Sequence, residues 1–298
     1  MRSMLFGAAL LLGSTLSASE FNQIKNVSPA PSAQTSAPGG AFESLRSLAP
    51  VGSPELPEPA RAALPGAGLS GEALFQALHA AVPKRDVSYG EAKAYMYSKA
   101  DNVICNGAPG IITFYSQVCV NGASANGGDY PERTDLNGDG VVDSIVNAEH
   151  IWPQSYFKSA LPMVSDLFNL GSTFATPNSR RGNVRFAMVS KPDYSTSCGS
   201  KRGKEGFEPC GPVKGNVARS VLYFVLAYHD RDIRQGMDYN EFWVKQVPMF
   251  LEWNRLDPPD ENERRRNDLA QQLQGNRNPF IDEPALADRI GAAVFAAH

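Results

Sequence analysis

Residues Glu20 to Gly68 decide how much of this chain can fold. They are crowded with Pro, Ala, Ser and Gly and carry hardly any aromatic residue after Phe42, so they cannot bury enough apolar area to offset the entropy of ordering. Positions 20–68 therefore read as a disordered linker or pro-segment, and the 298 residues hold a folded part smaller than the whole. Ahead of this stretch, Met1 to Ser19 begins with Arg2, continues through the apolar run Leu5 to Leu12 and reaches small residues at Ser17, Ala18 and Ser19, the layout of a secretory signal peptide (1–19). No later window offers the roughly 18 consecutive apolar residues of a membrane span. The expectation is a soluble, monomeric protein without a membrane partner, exported to the periplasm or the medium.

Capping and periodicity place the folded domain at 69–284. Ser70 stands as the N-cap of a helix with Leu74, Phe75, Leu78 and Ala81 on one face, and Ser88 with Glu91 forms a capping-box pattern for a second helix through Tyr97. Ile111, Ile112, Phe114, Tyr115 and Val118, set between Gly and Asn clusters, predict short strands, with a hairpin over Val103 to Val120. Asn216 is placed to cap an apolar helix through Val221, Leu222, Phe224, Val225 and Tyr228, and Tyr239 to Trp253 is amphipathic, bent or interrupted at Pro248. Pro258 and Pro259 mark a turn, Asp260 caps another helix, and Gly275 stops it before Asn276 to Phe280, leaving 285–298 as a tail. The fold class is α+β, helix-rich at both ends, in a single domain.

Cys105, Cys119, Cys198 and Cys210 fall into two locally spaced pairs in a chain bound for an oxidising compartment, which predicts two disulfides. Four cysteines allow three pairings; loop length favours Cys105 with Cys119 and Cys198 with Cys210. A zinc site is the weaker reading, because no Cys-x-x-Cys spacing is present and the histidines number four.

The net charge of −3 argues against a protein that coats nucleic acid through bulk positive charge, yet the charge is unevenly spread. Between Asn178 and Arg219 nine Lys or Arg residues face three acidic ones, a stretch able to steer a polyanion, with Arg180 and Arg185 as candidate nucleic-acid contacts. A merely solvated loop would look the same.

The chemistry concentrates in Glu149, His150, Ile151, Trp152, Pro153, Gln154 and Ser155, followed by Asn178 to Asn183. Adjacent strand residues point to opposite faces, so Glu149 and His150 share a site only where the backbone turns, and Pro153 supplies a strand end nearby. Glu149 and Asn178 offer hard oxygen atoms to a divalent cation, neutral His150 can accept a proton, and Arg180 and Arg181 match phosphate. Alone, His150 also fits a buried structural histidine and Asn178 a turn residue. Arg219 lies among apolar residues of a predicted helix and must snorkel, pair with a carboxylate or meet an anionic ligand. Asp135, Asn137, Asp139, Gly140 and Asp143 resemble the first nine positions of an EF-hand loop, although Val146 cannot supply its final carboxylate; a structural Ca²⁺ is the expectation and an Asp/Gly turn the alternative.

Together these segments resemble the bacterial endonuclease I family, secreted or periplasmic nucleases built on a ββα-metal (His-Me finger) core. The likeness runs from about Ser70 to Asp282 through Ser88–Lys93, Glu149–Ser155, Ser165–Leu167 with Asn169 and Leu170, Asn178–Asn183, Gly215–Arg219 and Gly275–Phe280. It implies a general base at His150, one Mg²⁺ held by Glu149 and Asn178, phosphate-contacting catalytic arginines at Arg181 and Arg219, and cleavage of DNA, often RNA too, with little sequence preference. Phe168 departs from the pattern, where the family usually has a histidine, and puts a supporting hydrogen bond in doubt. An unperturbed His150 would be largely neutral at pH 7, so activity is expected to fall once the medium is acidic enough to protonate it. Two rival readings remain: another metallohydrolase using His150 with His229 and Asp230, and a non-catalytic calcium-binding secreted module centred on Asp135 to Asp143.

Overall fold

The predicted apolar face of the first helix packs into the core. In the computed structural model the described residues are 65–82, 85–122 and 146–298, so the expected signal peptide, nearly all of 20–68 and the candidate Ca²⁺ ligands Asp135 to Asp143 lie outside them. Helix α1 (Gly71–Ala81) buries Leu74, Phe75 and Leu78, although Ala81 is exposed and the Ser70 side chain makes no capping bond. Helix α2 (Tyr89–Tyr95) is capped as expected, Ser88 Oγ accepting from the Glu91 amide at 3.2 Å, and passes into a π-helical turn over Met96–Ala100.

The expected hairpin is a three-stranded antiparallel sheet of β1 (Asn102–Cys105), β2 (Ala108–Ile112) and β3 (Cys119–Asn121), tied by the Cys105–Cys119 disulfide. Gly110 sits at its centre because a Cβ there would lie 2.7 Å from the Val120 carbonyl oxygen and 2.9 Å from Cys105 Sγ. Next come the two strands that carry the candidate site. Strand β4 (Val146–His150) pairs antiparallel with β5 (Leu170–Phe174), setting Glu149 opposite Gly171 and His150 opposite Leu170, and β5 runs straight into helix α3 (Ala175–Arg181). A small sheet of β6 (Pro192–Ser195), β7 (Lys201–Gly203) and β8 (Phe207–Glu208) follows, and the Cys198–Cys210 disulfide leads out of it.

Helix α4 (Gly211–Tyr228) is the axis of the core; every residue from Val221 to Tyr228 is buried, so hydrophobicity rather than amphipathic period marks it. It begins five residues before the expected Asn216 cap, because Pro212 fits the first turn, where no amide hydrogen bond is lost. Helices α5 (Tyr239–Phe242) and α6 (Val247–Leu256) flank it, with Pro248 in the first turn of α6 rather than inside a longer helix. Helix α7 (Glu261–Gln274) starts at Asp260, whose carboxylate accepts from the Glu263 amide at 2.8 Å, and ends at Gly275 with φ of 82°. After α8 (Pro279–Asp282) the chain does not trail off. Helices α9 (Ala285–Ile290) and α10 (Ala292–Ala297) bury Leu286, Ala287, Ile290 and Phe295, so the segment expected as a tail, 285–298, is helical and packs on the core. Phe295 packs on Phe75, Trp243 and Phe280, an aromatic closure between the first and last helices that short, Ala-rich segments do not advertise.

Candidate active site

The Glu149–His150 pair stands at the last two positions of β4, and the turn that follows is built by Asn169. Its Oδ1 accepts from the Trp152 amide at 2.6 Å while its Nδ2 donates to the Trp152 carbonyl at 3.1 Å, replacing the ladder that ends at the Ile151–Asn169 backbone bond. Trp152 then turns into the core, stacking on Phe224 at 5.2 Å between centroids and donating Nε1–H to the Ile233 carbonyl at 3.0 Å. Pro153 leads into a 3₁₀ turn over Gln154–Phe157, which closes the strand as its lack of an amide requires.

The two side chains leave β4 in different company. Glu149 is only 2 % exposed; its Oε1 accepts from the Tyr115 hydroxyl at 2.7 Å and lies 3.3 Å from Arg181 Nη1, so Oε2 is the oxygen those two partners leave. Burial raises its pKa, and Arg181 and the Tyr115 hydroxyl pull it back. His150, 5 % exposed, faces the Tyr89 and Phe157 rings, and its Nε2 lies 3.0 Å from the Val164 carbonyl. A carbonyl only accepts, so Nε2 carries the proton and Nδ1 keeps its lone pair. Among the described residues Nδ1 has no hydrogen-bond partner, and it is not sealed from solvent. Burial lowers the His150 pKa to about 4, partly offset by the Val164 bond and reinforced by the Arg181 and Lys93 charges. The imidazole is thus neutral over a wider acid range than an unperturbed histidine, which corrects the expectation of a near-ordinary pKa.

Asn178 projects from α3 toward the same strand end. Its Nδ2 donates to Asn147 Oδ1 at 2.8 Å and to the Ala148 carbonyl at 3.3 Å, and the Ala148 acceptor fixes the amide orientation, leaving Oδ1 without a donor among the described residues. Arg181, four-fold tied and 1 % exposed, links the parts: Nη1 donates to the His150 and Gly182 carbonyls at 3.1 Å each, Nη2 donates to the Ile151 carbonyl, and the guanidinium lies 4.7 Å from the Phe186 ring centroid. The ββα unit of β4, β5 and α3 therefore gathers Glu149, His150, Asn178 and Arg181 at one junction. The available donors, a carboxylate and an amide oxygen, are hard and suit Mg²⁺ with water completing its shell.

Arg219 is not part of that junction. Its Nε donates to Glu263 Oε1 at 2.7 Å, Nη2 pairs with the other carboxylate oxygen, and Nη1 reaches the Asp257 carbonyl at 2.7 Å and Asn254 Oδ1 at 3.3 Å. The carboxylate partner answers the question its sequence context posed, and all three side-chain nitrogens bond to protein: Arg219 sits in a buried ion pair, and a phosphate contact is withdrawn for it. Gly215 is what admits this pair, since a Cβ there would stand 1.9 Å from the Asp257 carbonyl oxygen and 2.8 Å from the Arg219 guanidinium. The basic stretch is similarly occupied. Arg185 pairs with Glu241 at 2.7 Å, and Lys201 and Lys214 both pair with Glu208, whereas exposed Arg180 makes no ion pair or hydrogen bond with the described residues and lies 5.5 Å from the Tyr194 ring centroid.

Phe168 is explained by what replaces the expected histidine. It is buried against Tyr223 at 4.8 Å, and the Val164 carbonyl supports His150, so that support is present without it. Neighbouring Asp166 is a scaffold, accepting from the Phe168 amide, Tyr223, Tyr228 and Gln274. Tyr115, Asn147 and Asn169 escaped sequence reasoning as site residues. Asn147 had a signal, since it lies two positions before Glu149 and so on the same strand face; Tyr115 had none, because only the fold brings it to Glu149. His229 and Asp230 lie with His79, not with the His150 partners, which removes the observation needed for the rival metallohydrolase.

Fold and junction define an α+β protein organised around a ββα unit whose strand end carries a carboxylate and a neutral imidazole. The chain belongs to the Endonuclease I family, whose sequence model matches residues 70–285. It is 35% identical over 166 residues to an extracellular ribonuclease of Bacillus subtilis (strain 168), covering 52% of this chain and 56% of the relative. It is 32% identical over 125 residues to an extracellular deoxyribonuclease of Aeromonas hydrophila (41% of this chain, 50% of the relative) and 33% identical over 125 residues to a periplasmic deoxyribonuclease of the same organism (41% and 48%). The chain spans about half the length of the curated relatives it matches.

Proposed function

We propose that this chain is a monomeric endonuclease, exported to the periplasm or the medium, that hydrolyses phosphodiester bonds of DNA and RNA without sequence preference and with Mg²⁺. The observation that carries the reading is the strand end itself: adjacent positions carry a neutral imidazole with its Nδ1 lone pair open and a buried carboxylate, and Asn178, bonded to the same strand, has an amide oxygen that no donor among the described residues uses. Relatives named for ribonuclease and for deoxyribonuclease activity, extracellular and periplasmic, support the substrate range and the destination.

In this mechanism His150 Nδ1 takes the proton of the attacking water, which is the task of a general base already neutral at the working pH. Glu149 and Asn178 would hold the cation. Bound Mg²⁺ supplies charge neutralisation at the phosphate and at the leaving 3′ oxygen. Arg181 acts as a positioning residue, holding Glu149 by charge and the His150 and Ile151 carbonyls by hydrogen bonds, so that the strand end keeps one geometry. Arg180, exposed beside Tyr194, contacts the sugar–phosphate backbone, a contact that positions the polymer without reading bases.

Incubation of the purified protein with plasmid DNA and with RNA, with and without chelator, tests the proposal. Mg²⁺-supported loss of both substrates, abolished in His150→Ala at unchanged melting temperature, is expected; cleavage that survives either chelator or the substitution contradicts it. A structural Ca²⁺ on Asp135, Asn137, Asp139 and Asp143 is a separate proposal, checked by a Ca²⁺-dependent rise in melting temperature that is lost in Asp135→Asn.

A further inference from the structure

Three of the four histidines of the chain gather at the place where α1 and α4 both end, with none of the junction residues among their ring contacts. His79 belongs to the last turn of α1, and His229 and Asp230 directly follow the last residue of α4. The ligand atoms of His79, His229 and Asp230 all lie within 4.8 Å of one another, with His79 Nε2 3.7 Å from Asp230 Oδ2. A point equidistant from three atoms at that largest spacing is about 2.8 Å from each, against roughly 2.0–2.1 Å for imidazole nitrogen on zinc. Side-chain movement of about 0.7 Å therefore completes the contact.

We infer that His79, His229 and Asp230 form a binding site for a divalent transition-metal ion of the zinc class, separate from the junction of Glu149 and Asn178. Two features beyond the clustering point to a ligand. His79 Nδ1 lies 2.7 Å from the Leu226 carbonyl, which can only accept, so the ring donates there and Nε2 presents its lone pair toward Asp230. This is the outer-shell bond that fixes the tautomer and raises the basicity of metal-ligating histidines. Second, His229 Nδ1 is buried with no hydrogen-bond partner, an orphan that folding would not ordinarily leave.

The setting favours a cation. Both helices direct the negative ends of their dipoles at this point. Two imidazoles with one carboxylate suit zinc, whereas Mg²⁺ prefers an all-oxygen shell. The Phe75 ring covers one side, 5.0 Å from His229 and stacked 4.2 Å from His298, whose own Nε2 is engaged by Glu72 at 3.0 Å. Metal here would clamp α1 to the C-terminal end of the core helix.

Isothermal titration of the full protein with Zn²⁺ in excess Mg²⁺ tests the inference, because Mg²⁺ occupies the hard-oxygen junction and leaves the histidine site open. One equivalent of Zn²⁺ should bind and raise the melting temperature, and His79→Ala and Asp230→Asn should each weaken binding roughly 100-fold, the upper end of the loss caused by disturbing even outer-shell partners. Asp230 is exposed, so its variant reports on ligation even if a histidine substitution unsettles the helix contact. Failure of the wild type to bind Zn²⁺ under these conditions, wild-type affinity retained in both variants, or binding lost only in Glu149→Gln would overturn the site.

Discussion

Acidifying the protein from pH 7 toward pH 4 should destabilise it through His150, by an amount that the structure sets. In the unfolded chain the imidazole titrates near 6.5, while burial in the folded state lowers its pKa to about 4. Between those values the unfolded chain binds a proton that the native state refuses, so stability is lost as pH falls. The sign follows from the depressed pKa: the contribution is fully present above pH 6.5 and disappears as pH descends toward 4. At about 1.36 kcal/mol per pH unit the window amounts to roughly 3 kcal/mol, a large part of the stability of an ordinary domain. Urea denaturation of wild type and His150→Gln at pH 7, 6, 5 and 4.5 isolates the term, because the carboxylates titrate alike in both proteins. The wild type should lose more stability than the variant across that range, the excess approaching about 3 kcal/mol. Parallel curves would refute the buried, neutral imidazole. Catalysis carries the same signature: the acid limb should lie well below pH 6.5, and a limb centred there would contradict the geometry around Val164.

Other substitutions separate scaffold from chemistry. Glu263→Ala leaves the Arg219 guanidinium buried without its carboxylate and should cost about 3–5 kcal/mol in denaturant unfolding, while the cleavage rate per folded molecule stays near wild type. Tyr115→Phe removes the hydroxyl that holds Glu149 Oε1 and should lower Mg²⁺ affinity, read by titration of activity, by roughly 10-fold. Arg180→Ala should leave the melting temperature unchanged and reduce the slope of log affinity for DNA against log salt by about one.

How much of this was legible beforehand depended on whether the cause was local. Caps at Ser88 and Asp260, the Gly275 stop and the two short disulfide loops follow from neighbours a few residues away, and each is present. The strand end at Glu149 was read from Pro153 and the surrounding ββα unit from the resemblance, since β4 reads as Val-Asn-Ala-Glu-His, an apolar–polar alternation over only four residues. Long-range partners were out of reach. Nothing in the spacing of Arg219 and Glu263 announces a buried pair 44 residues apart, and the basic surplus of 178–219 hides how many of its charges meet Glu208, Glu241 and Glu263. The last helices were mistaken for a tail because Ala-rich turns show weak periodicity, and only Phe295 in its pocket of Phe75, Trp243 and Phe280 reveals their docking.

The central claim is that Glu149 and Asn178 hold one cation while His150 stands beside it as a base. Anomalous diffraction from crystals grown with Mn²⁺ in place of Mg²⁺ addresses it directly. The account predicts a peak bonded to a Glu149 carboxylate oxygen and to Asn178 Oδ1, with His150 outside the set of metal ligands. Absence of a peak at the end of β4, or an ion there that neither Glu149 nor Asn178 touches, would contradict it.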